Sequence, residues 1–110
     1  MLRAIVPVFR VADAQQTSSW YARLGFIVEG EHQFESDFPL YLFLRRGDCS
    51  LHLSEHLGDA PPNSLIYLYV DDLQAIATEF SAEIIDQPWA WEIHLTDPDG
   101  NRLRIGQLKS

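Results

Sequence analysis

One pattern of strands and helices occurs twice in this chain, and it limits the possible folds to a few. Two apolar helix faces repeat at positions i, i+3, i+4 and i+7. These faces consist of Thr17, Trp20, Tyr21 and Leu24 in the first half and of Leu73, Ile76, Ala77 and Phe80 in the second. In each half an apolar strand precedes the helix and three β-type segments follow it. We therefore predict the element order βαβββ in both halves, as a degenerate internal repeat.

The repeat divides the chain into two modules within one predicted α+β domain over residues 1–110. We assign residues 1–56 to the first module, 65–110 to the second, and the Gly- and Pro-containing segment 57–64 to a linker. Neither half is expected to bury its sheet alone, because small sheets need a covering layer. The two short helices cover one side of the strands. A partner subunit is the economical cover for the opposite, concave side, with ligand space between the sheets.

Local signals mark the ends of individual elements. Asp13 precedes the first helix as an N-cap, and Gly25 follows its last turn as a C′ residue. The first strand is predicted over Ile5–Phe9 and contains Pro7, which cannot donate a hydrogen bond to a neighbouring strand. This strand is therefore expected at a sheet edge or in an unusual pairing.

Composition and charge exclude several classes of partner. The 110 residues carry a net charge of −8 and have a pI near 4.7, which argues against nucleic acid as a partner and is compatible with a cationic ligand. A single cysteine, Cys49, permits no internal disulfide bond. The apolar run Ala4–Phe9 is too short for a signal peptide, and no stretch is long enough to span a membrane. We expect a cytoplasmic protein.

Two motifs, in this order of elements, resemble the glyoxalase/bleomycin-resistance superfamily, whose members are also called vicinal oxygen chelate proteins. The motifs are Trp20-Tyr21-x-x-Leu24-Gly25-Phe26 and Asp97-Pro98-Asp99-Gly100-Asn101. Three further segments are similar to the bleomycin-resistance binding proteins, namely Val6-Pro7-Val8, Pro62-Asn63-Ser64-Leu65 and Gln87-Pro88-Trp89-x-x-Glu92. The resemblance covers nearly the whole chain. It implies a curved sheet built from both modules and a domain-swapped homodimer, in which the N-terminal strand is exchanged between subunits at Pro7.

The same resemblance indicates where a metal would be bound. Metal enzymes of the superfamily carry one His, Gln or Glu ligand on each of four strands. The matching positions here are Val6, His52, Leu65 and Arg104. Two of these residues are aliphatic and one is a permanent cation that repels a divalent ion. We therefore expect neither a metal nor a cofactor. A remnant site made of His52, Glu92 and His94 remains an alternative.

Aromatic residues and carboxylates instead suit a flat, cationic guest, through ring stacking, cation–π contacts and charge. We expect ligand contacts from Phe34, Phe38, His52, Tyr67, Tyr69, Trp89, Trp91, Glu92 and Arg104. Tyr67 and Tyr69 alternate with Leu65 on one strand face, which is predicted to line the cleft. The loop that carries Phe34 and Phe38 is either part of the ligand site or a flap that closes over the sheet.

The resemblance implies a binding protein with no catalytic residue. The related proteins hold their drug, without modifying it, in two clefts at a dimer interface. We predict sequestration of a planar, cationic antibiotic such as bleomycin. The first alternative is a glyoxalase-like lyase or isomerase, or a dioxygenase-family enzyme, with a non-standard site. Such an enzyme would use Glu92 or His94 as its acid–base group and Arg104 as an anion clamp. The second alternative is a non-catalytic interaction module whose cleft is closed by packing.

Overall fold

The computed structural model describes all residues 1–110 and contains eight strands and two helices. In chain order the elements are β1 (Val8–Arg10), α1 (Ala14–Arg23), β2 (Ile27–His32), β3 (Tyr41–Arg46), β4 (Cys49–Ser54), β5 (Leu65–Tyr69), α2 (Leu73–Phe80), β6 (Ile85–Asp86), β7 (Ala90–Thr96) and β8 (Arg102–Leu108). Neither helix has the length and apolar character needed to cross a bilayer.

The strands form two four-stranded sheets with the same topology. The strand order is β1-β4-β3-β2 in the first sheet and β5-β8-β7-β6 in the second. In each sheet the first strand runs parallel to the last strand of its module, and the other pairs are antiparallel. The structure thus confirms the predicted α+β fold with two βαβββ modules. The domain-swapped dimer stays a prediction.

The first strand is shorter than the sequence predicts. It begins at Val8 rather than Ile5, and residues 1–7 have no regular secondary structure. Pro7 lies just before the strand, where its carbonyl accepts a 2.9 Å hydrogen bond from the backbone N–H of His52. Since proline has no N–H, pairing ends here. β1 lies at the edge of its sheet and pairs with β4 of the same chain.

Capping residues explain where the helices begin and end. The Asp13 carboxylate accepts a 3.1 Å hydrogen bond from the Gln16 backbone N–H and caps α1, as predicted. Gly25 follows α1 with φ of +99°, a conformation that glycine adopts without strain. At α2 the N-cap residue Asp72 makes no capping hydrogen bond, because both of its carboxylate oxygens accept from Arg46.

A single hydrophobic core contains side chains from both modules. Helix α1 packs on β2, β3 and β4, and α2 packs on β7 and β8. The helices meet at Trp20 and Phe80, whose ring centroids lie 5.1 Å apart. Because one face of each sheet belongs to this common core, the other face of each sheet points away from it and is left uncovered.

The turn between β7 and β8 joins the two modules. Its first residue, Asp97, is buried and accepts a 2.7 Å hydrogen bond from the Tyr21 hydroxyl on α1. Its third residue, Asp99, accepts from the Thr17 hydroxyl at 2.6 Å and from the Ala12 backbone N–H at 2.8 Å. The signature turn therefore holds the second module against the first helix.

Candidate functional site

Two uncovered sheet faces are the candidate binding surfaces, and we define them by strand alternation and register. The first-sheet face consists of Val8, Arg10, Tyr41, Phe43, Arg45, Ser50 and His52. The second-sheet face consists of Leu65, Tyr67, Tyr69, Glu92, His94, Thr96, Arg102, Arg104 and Gly106. On each strand the alternate residues contribute to the hydrophobic core, so the assignment of faces follows from burial as well as from register.

A hydrogen-bond network around Glu92 organises the second-sheet face. The Glu92 side chain is 2% exposed, although it lies on the face without helices. Its Oε2 accepts from the Tyr67 hydroxyl at 2.7 Å, and its Oε1 lies 2.8 Å from Nε2 of His94. Gln87 adds a longer contact of 3.4 Å to Oε1. The carboxylate therefore connects a tyrosine on β5 to a histidine on β7.

The absence of a side chain at Gly106 makes this network possible. Gly106 on β8 is the register partner of both Tyr69 on β5 and Glu92 on β7. A Cβ atom at this position would lie 2.4 Å from the Tyr67 hydroxyl oxygen. Tyr67 thus crosses β8 over the glycine and reaches a carboxylate two strands away.

The network keeps Glu92 ionised and Tyr67 neutral. Hydrogen bonds from Tyr67 and then His94 hold the pKa of Glu92 below its ordinary value, against the opposing effect of desolvation. Desolvation and the hydrogen bond to Glu92 raise the pKa of Tyr67, while the neighbouring Trp89 side chain opposes that rise. Trp89 is thereby placed beside Tyr67. Glu92 is largely occupied by protein donors, and its direct contact with a ligand stays a prediction.

Aromatic and cationic side chains surround this network. The rings of Tyr67 and Tyr69 pack against each other with centroids 5.0 Å apart, and both residues are exposed. Arg104 lies between Tyr67 and His94, as the register partner of each. Arg104 and His94 also line the same shallow hollow, together with Leu65. The face thus offers two rings beside a guanidinium and an imidazole.

The first-sheet face carries a separate aromatic cluster around His52. The His52 ring lies 4.8 Å from the Phe43 ring and 5.2 Å from the Tyr41 ring, centroid to centroid. The Tyr41 hydroxyl and Nδ1 of His52 are hydrogen-bonded at 2.8 Å. Burial lowers the pKa of His52, which favours the neutral imidazole. The contacts within this cluster are between rings, and the Tyr41–His52 hydrogen bond is its polar contact.

The residues at the superfamily's metal positions do not fit a metal ion. In the structure, the parallel strand pairs place His52 opposite Val8 and Arg104 opposite Tyr67. Val6 precedes β1, and Leu65 pairs with Arg102. A valine, a leucine and an arginine are not ligands for a divalent cation. No group of three or more His, Cys, Asp or Glu side chains converges anywhere in the chain.

The other predicted contact residues lie in three different places. Trp89 lies beside Tyr67, as described above. Trp91 alternates with Glu92 along β7, so it lies on the same face as Ile93 and on the opposite face from Glu92. The Lys109 ammonium lies 4.5 Å from the centroid of the Trp91 ring. Phe34 and Phe38 pack on each other in the loop between β2 and β3, with ring centroids 5.4 Å apart.

The structure brings together Tyr67, Tyr69, Trp89, Glu92 and Arg104 on or beside one sheet face. It does not bring His52 to them, because His52 belongs to the other sheet. Among the residues that form the two clusters on these faces, sequence reasoning missed Tyr41, Phe43 and Gly106. Alternation along Tyr41–Leu44 is the signal that could have found the first two. No local signal distinguishes Gly106.

Comparison with known proteins bears on the whole chain. A family model described as glyoxalase superfamily protein matches residues 1–110. TnmS3, described as an antibiotic binding protein from Streptomyces sp. CB03234, superposes with a TM-score of 0.83 at 20% identity, over 99% of this chain and 98% of that one. A search of curated proteins found no match.

Two structures of bleomycin-related proteins are also similar. A bleomycin-binding protein complexed with bleomycin has a TM-score of 0.71 at 25% identity, over 96% of this chain and 98% of that one. A bleomycin resistance determinant encoded on the transposon Tn5 has a TM-score of 0.71 at 24% identity, over 97% of this chain and 98% of that one. These likenesses confirm the resemblance that the sequence motifs indicate.

Proposed function

The chain belongs to the glyoxalase superfamily, and from this premise we propose that it is a small-molecule binding protein of the antibiotic-sequestering kind. It sequesters a planar, cationic molecule such as bleomycin without modifying it. Its similarity to an antibiotic binding protein and to a bleomycin-binding protein supports ligand sequestration in general.

The observation that carries the proposal is the aromatic surface left open on the second sheet. Tyr67 is 38% exposed and Tyr69 is 56% exposed, and Leu65 beside them is exposed as well. Exposed apolar side chains that form a contiguous patch mark surfaces that a ligand or partner covers. Stacking on such rings, with cation–π attraction to a charged guest, gives affinity without any chemical step. The chain's net charge of −8 favours the approach of a cation.

In this proposal the complete cleft forms between two subunits. The first-sheet and second-sheet faces both point away from the common core of one chain. A homodimer that brings the first-sheet face of one subunit to the second-sheet face of the other would unite His52 with Tyr67 and Arg104. Two equivalent clefts then form about the two-fold axis. Exchange of residues 1–7 at Pro7 is the proposed link between the subunits.

A tryptophan-fluorescence titration of metal-stripped protein with bleomycin tests the proposal. The titration is run with metal-free drug and with copper-bound drug. We expect saturable quenching at one drug per protomer, together with a rise in melting temperature, since a ligand that binds only the folded state stabilises it. No change in fluorescence or melting temperature at drug concentrations far above the protein concentration would exclude bleomycin as the ligand.

One feature favours a second candidate, an enzyme with a non-standard site. The pair formed by the buried Glu92 and the half-exposed His94, with Oε1 and Nε2 2.8 Å apart, resembles a base held by a carboxylate. A lyase or isomerase would place a vicinal dicarbonyl substrate between this pair and Arg104. Turnover of methylglyoxal, with or without added divalent metal, would support this candidate, and unmodified drug recovered after long incubation would oppose it.

A further inference from the structure

The contacts of Glu92 determine which nitrogen of His94 carries a proton. The Glu92 side chain is buried, and hydrogen bonds from Tyr67 and His94 hold its pKa below its ordinary value. An ionised carboxylate only accepts hydrogen bonds. The Nε2 atom of His94, 2.8 Å from Oε1 of Glu92, is therefore the donor of that bond.

A neutral imidazole that carries its proton on Nε2 has a lone pair on Nδ1. The side chain of His94 is about half exposed, at 46%, and Nε2 is its only ring nitrogen in a hydrogen bond with the protein, which leaves Nδ1 for a guest. Arg104 stands opposite His94 on the neighbouring strand and lines the same hollow. A guanidinium has only donors. The second-sheet face therefore presents a fixed acceptor, Nδ1 of His94, beside a fixed donor group, the guanidinium of Arg104.

We propose that Glu92 is a positioning residue that makes this face selective for a planar guest bearing a primary carboxamide. The carbonyl oxygen of the carboxamide accepts from Arg104, and its N–H donates to Nδ1 of His94. The planar body of the guest packs against Tyr67. This inference deepens the proposed function and rests on it, because it names the chemical group that the binding face recognises.

A carboxylate guest is the informative competitor. It satisfies Arg104, but it has no hydrogen to donate and meets the Nδ1 lone pair of His94. If the proton of His94 were on Nδ1 instead, the preference would reverse. The ratio of carboxamide affinity to carboxylate affinity therefore depends on the polarity that Glu92 imposes and on the repulsion between Glu92 and a carboxylate guest, so it is read together with the His94 tautomer.

The first test needs no ligand and uses the full-length protein. Protein labelled with ¹⁵N-histidine is observed by NMR at increasing pH until the His94 signals no longer change, and His94→Ala assigns the signals. We expect a proton on Nε2 of His94 in the wild type and a mixed or reversed tautomer in Glu92→Gln. The control is Glu83→Gln, which removes an equal charge from an exposed site and should leave His94 unchanged. A proton on Nδ1 in the wild type, or an unchanged tautomer in Glu92→Gln, overturns the proposal.

The second test measures the affinity ratio with benzamide and benzoate as probes, at matched ionic strength. We expect wild-type protein to bind benzamide about fivefold more tightly than benzoate, the usual effect of one hydrogen bond. The ratio should fall towards one in Glu92→Gln. Equal or tighter binding of benzoate by the wild type, or no binding of benzamide, overturns the carboxamide assignment. A failed bleomycin titration alone leaves both of these readouts measurable, so the two failures are distinguishable.

Gly106→Ala provides an independent variant in case Glu92→Gln does not fold. The new methyl group displaces the Tyr67 hydroxyl, since a Cβ would lie 2.4 Å from it, but it leaves the Glu92–His94 contact in place. Both probes should bind more weakly because the ring has moved, whereas the benzamide-to-benzoate ratio should be retained. Loss of the ratio in this variant would contradict the role assigned to Glu92.

Discussion

The Tyr21 hydroxyl donates a 2.7 Å hydrogen bond to Oδ2 of Asp97, and this bond crosses from one module to the other through the interior. Tyr21 is completely buried, and burial raises the pKa of its hydroxyl well above the ordinary value, so it stays a donor. The same carboxylate also accepts from the backbone N–H groups of Asp99 and Asn101. The turn is therefore anchored to the core through its buried end residues, Asp97 and Asn101.

We expect Tyr21→Phe to lower the free energy of unfolding by about 1–3 kcal/mol, because it leaves a buried carboxylate short of one donor. Urea denaturation should show a lower midpoint with an unchanged slope. Tyr69→Phe is the matched control, since that tyrosine is exposed and should change stability little. Equal midpoints for Tyr21→Phe and the wild type would show that the bond adds nothing to stability.

The pH dependence of stability should reflect His52. Burial lowers the pKa of His52, so the unfolded chain takes up this proton at a higher pH than the folded chain does. The stability contribution is fully present above the unfolded pKa of about 6.5 and is lost as the pH falls through that value towards the lower folded pKa. The free energy of unfolding, measured in urea, should therefore decline less steeply on acidification in His52→Asn than in the wild type.

His32→Asn is the control for this measurement, because it removes an exposed histidine from the same sheet. It should reproduce the wild-type pH profile. If His52→Asn and His32→Asn gave the same profile as the wild type, the burial of His52 would have no effect on stability.

The two neighbouring tryptophans should report ligand binding differently. Trp89 lies beside Tyr67, whereas Trp91 lies on the opposite face of β7 under Lys109. Fluorescence quenching by bleomycin should therefore be largely lost in Trp89→Phe and largely retained in Trp91→Phe. The reverse result would place the ligand on the other side of the sheet and exclude the second-sheet face.

The segment before β1 should control dimer formation. Ile5 is 85% exposed in one chain, and Leu57 in the linker is equally exposed at 85%. We expect Ile5→Asp to weaken the dimer in sedimentation or light-scattering measurements, because a charge is costly in a buried interface. Leu57→Asp should leave the mass unchanged. Equal masses for both variants and the wild type would argue against exchange of this segment.

Much of the fold could be predicted because its signals are local. Period-3.6 apolar spacing marks both helices, and Asp13 and Gly25 mark the ends of the first. The length of β1 could not be predicted as well, since the end of pairing depends on where β4 lies. The apolar run around Pro7 has the composition of a strand. Its pairing with β4 nevertheless stops at Pro7, because proline has no N–H to donate.

The site was less predictable because its key contacts are long-range. The Tyr67–Glu92 bond spans 25 residues of sequence and depends on a glycine of a third strand. No property of Glu92 in the sequence indicates that protein donors occupy its carboxylate. Trp91 is different, because simple alternation with Glu92 already assigns it to the other face.

The buried turn between β7 and β8 also makes the two copies of the repeat unequal. The corresponding β3–β4 connection is only Gly47 and Asp48, and a Cβ added to Gly47 would meet no atom within 4 Å. The β3–β4 turn is therefore free to accept insertions or tags, while the β7–β8 turn is held in place by α1 from the other module. Expressed separately, each half would lose partners for buried polar groups. We expect the chain to unfold in one cooperative step and its halves to be unable to fold alone.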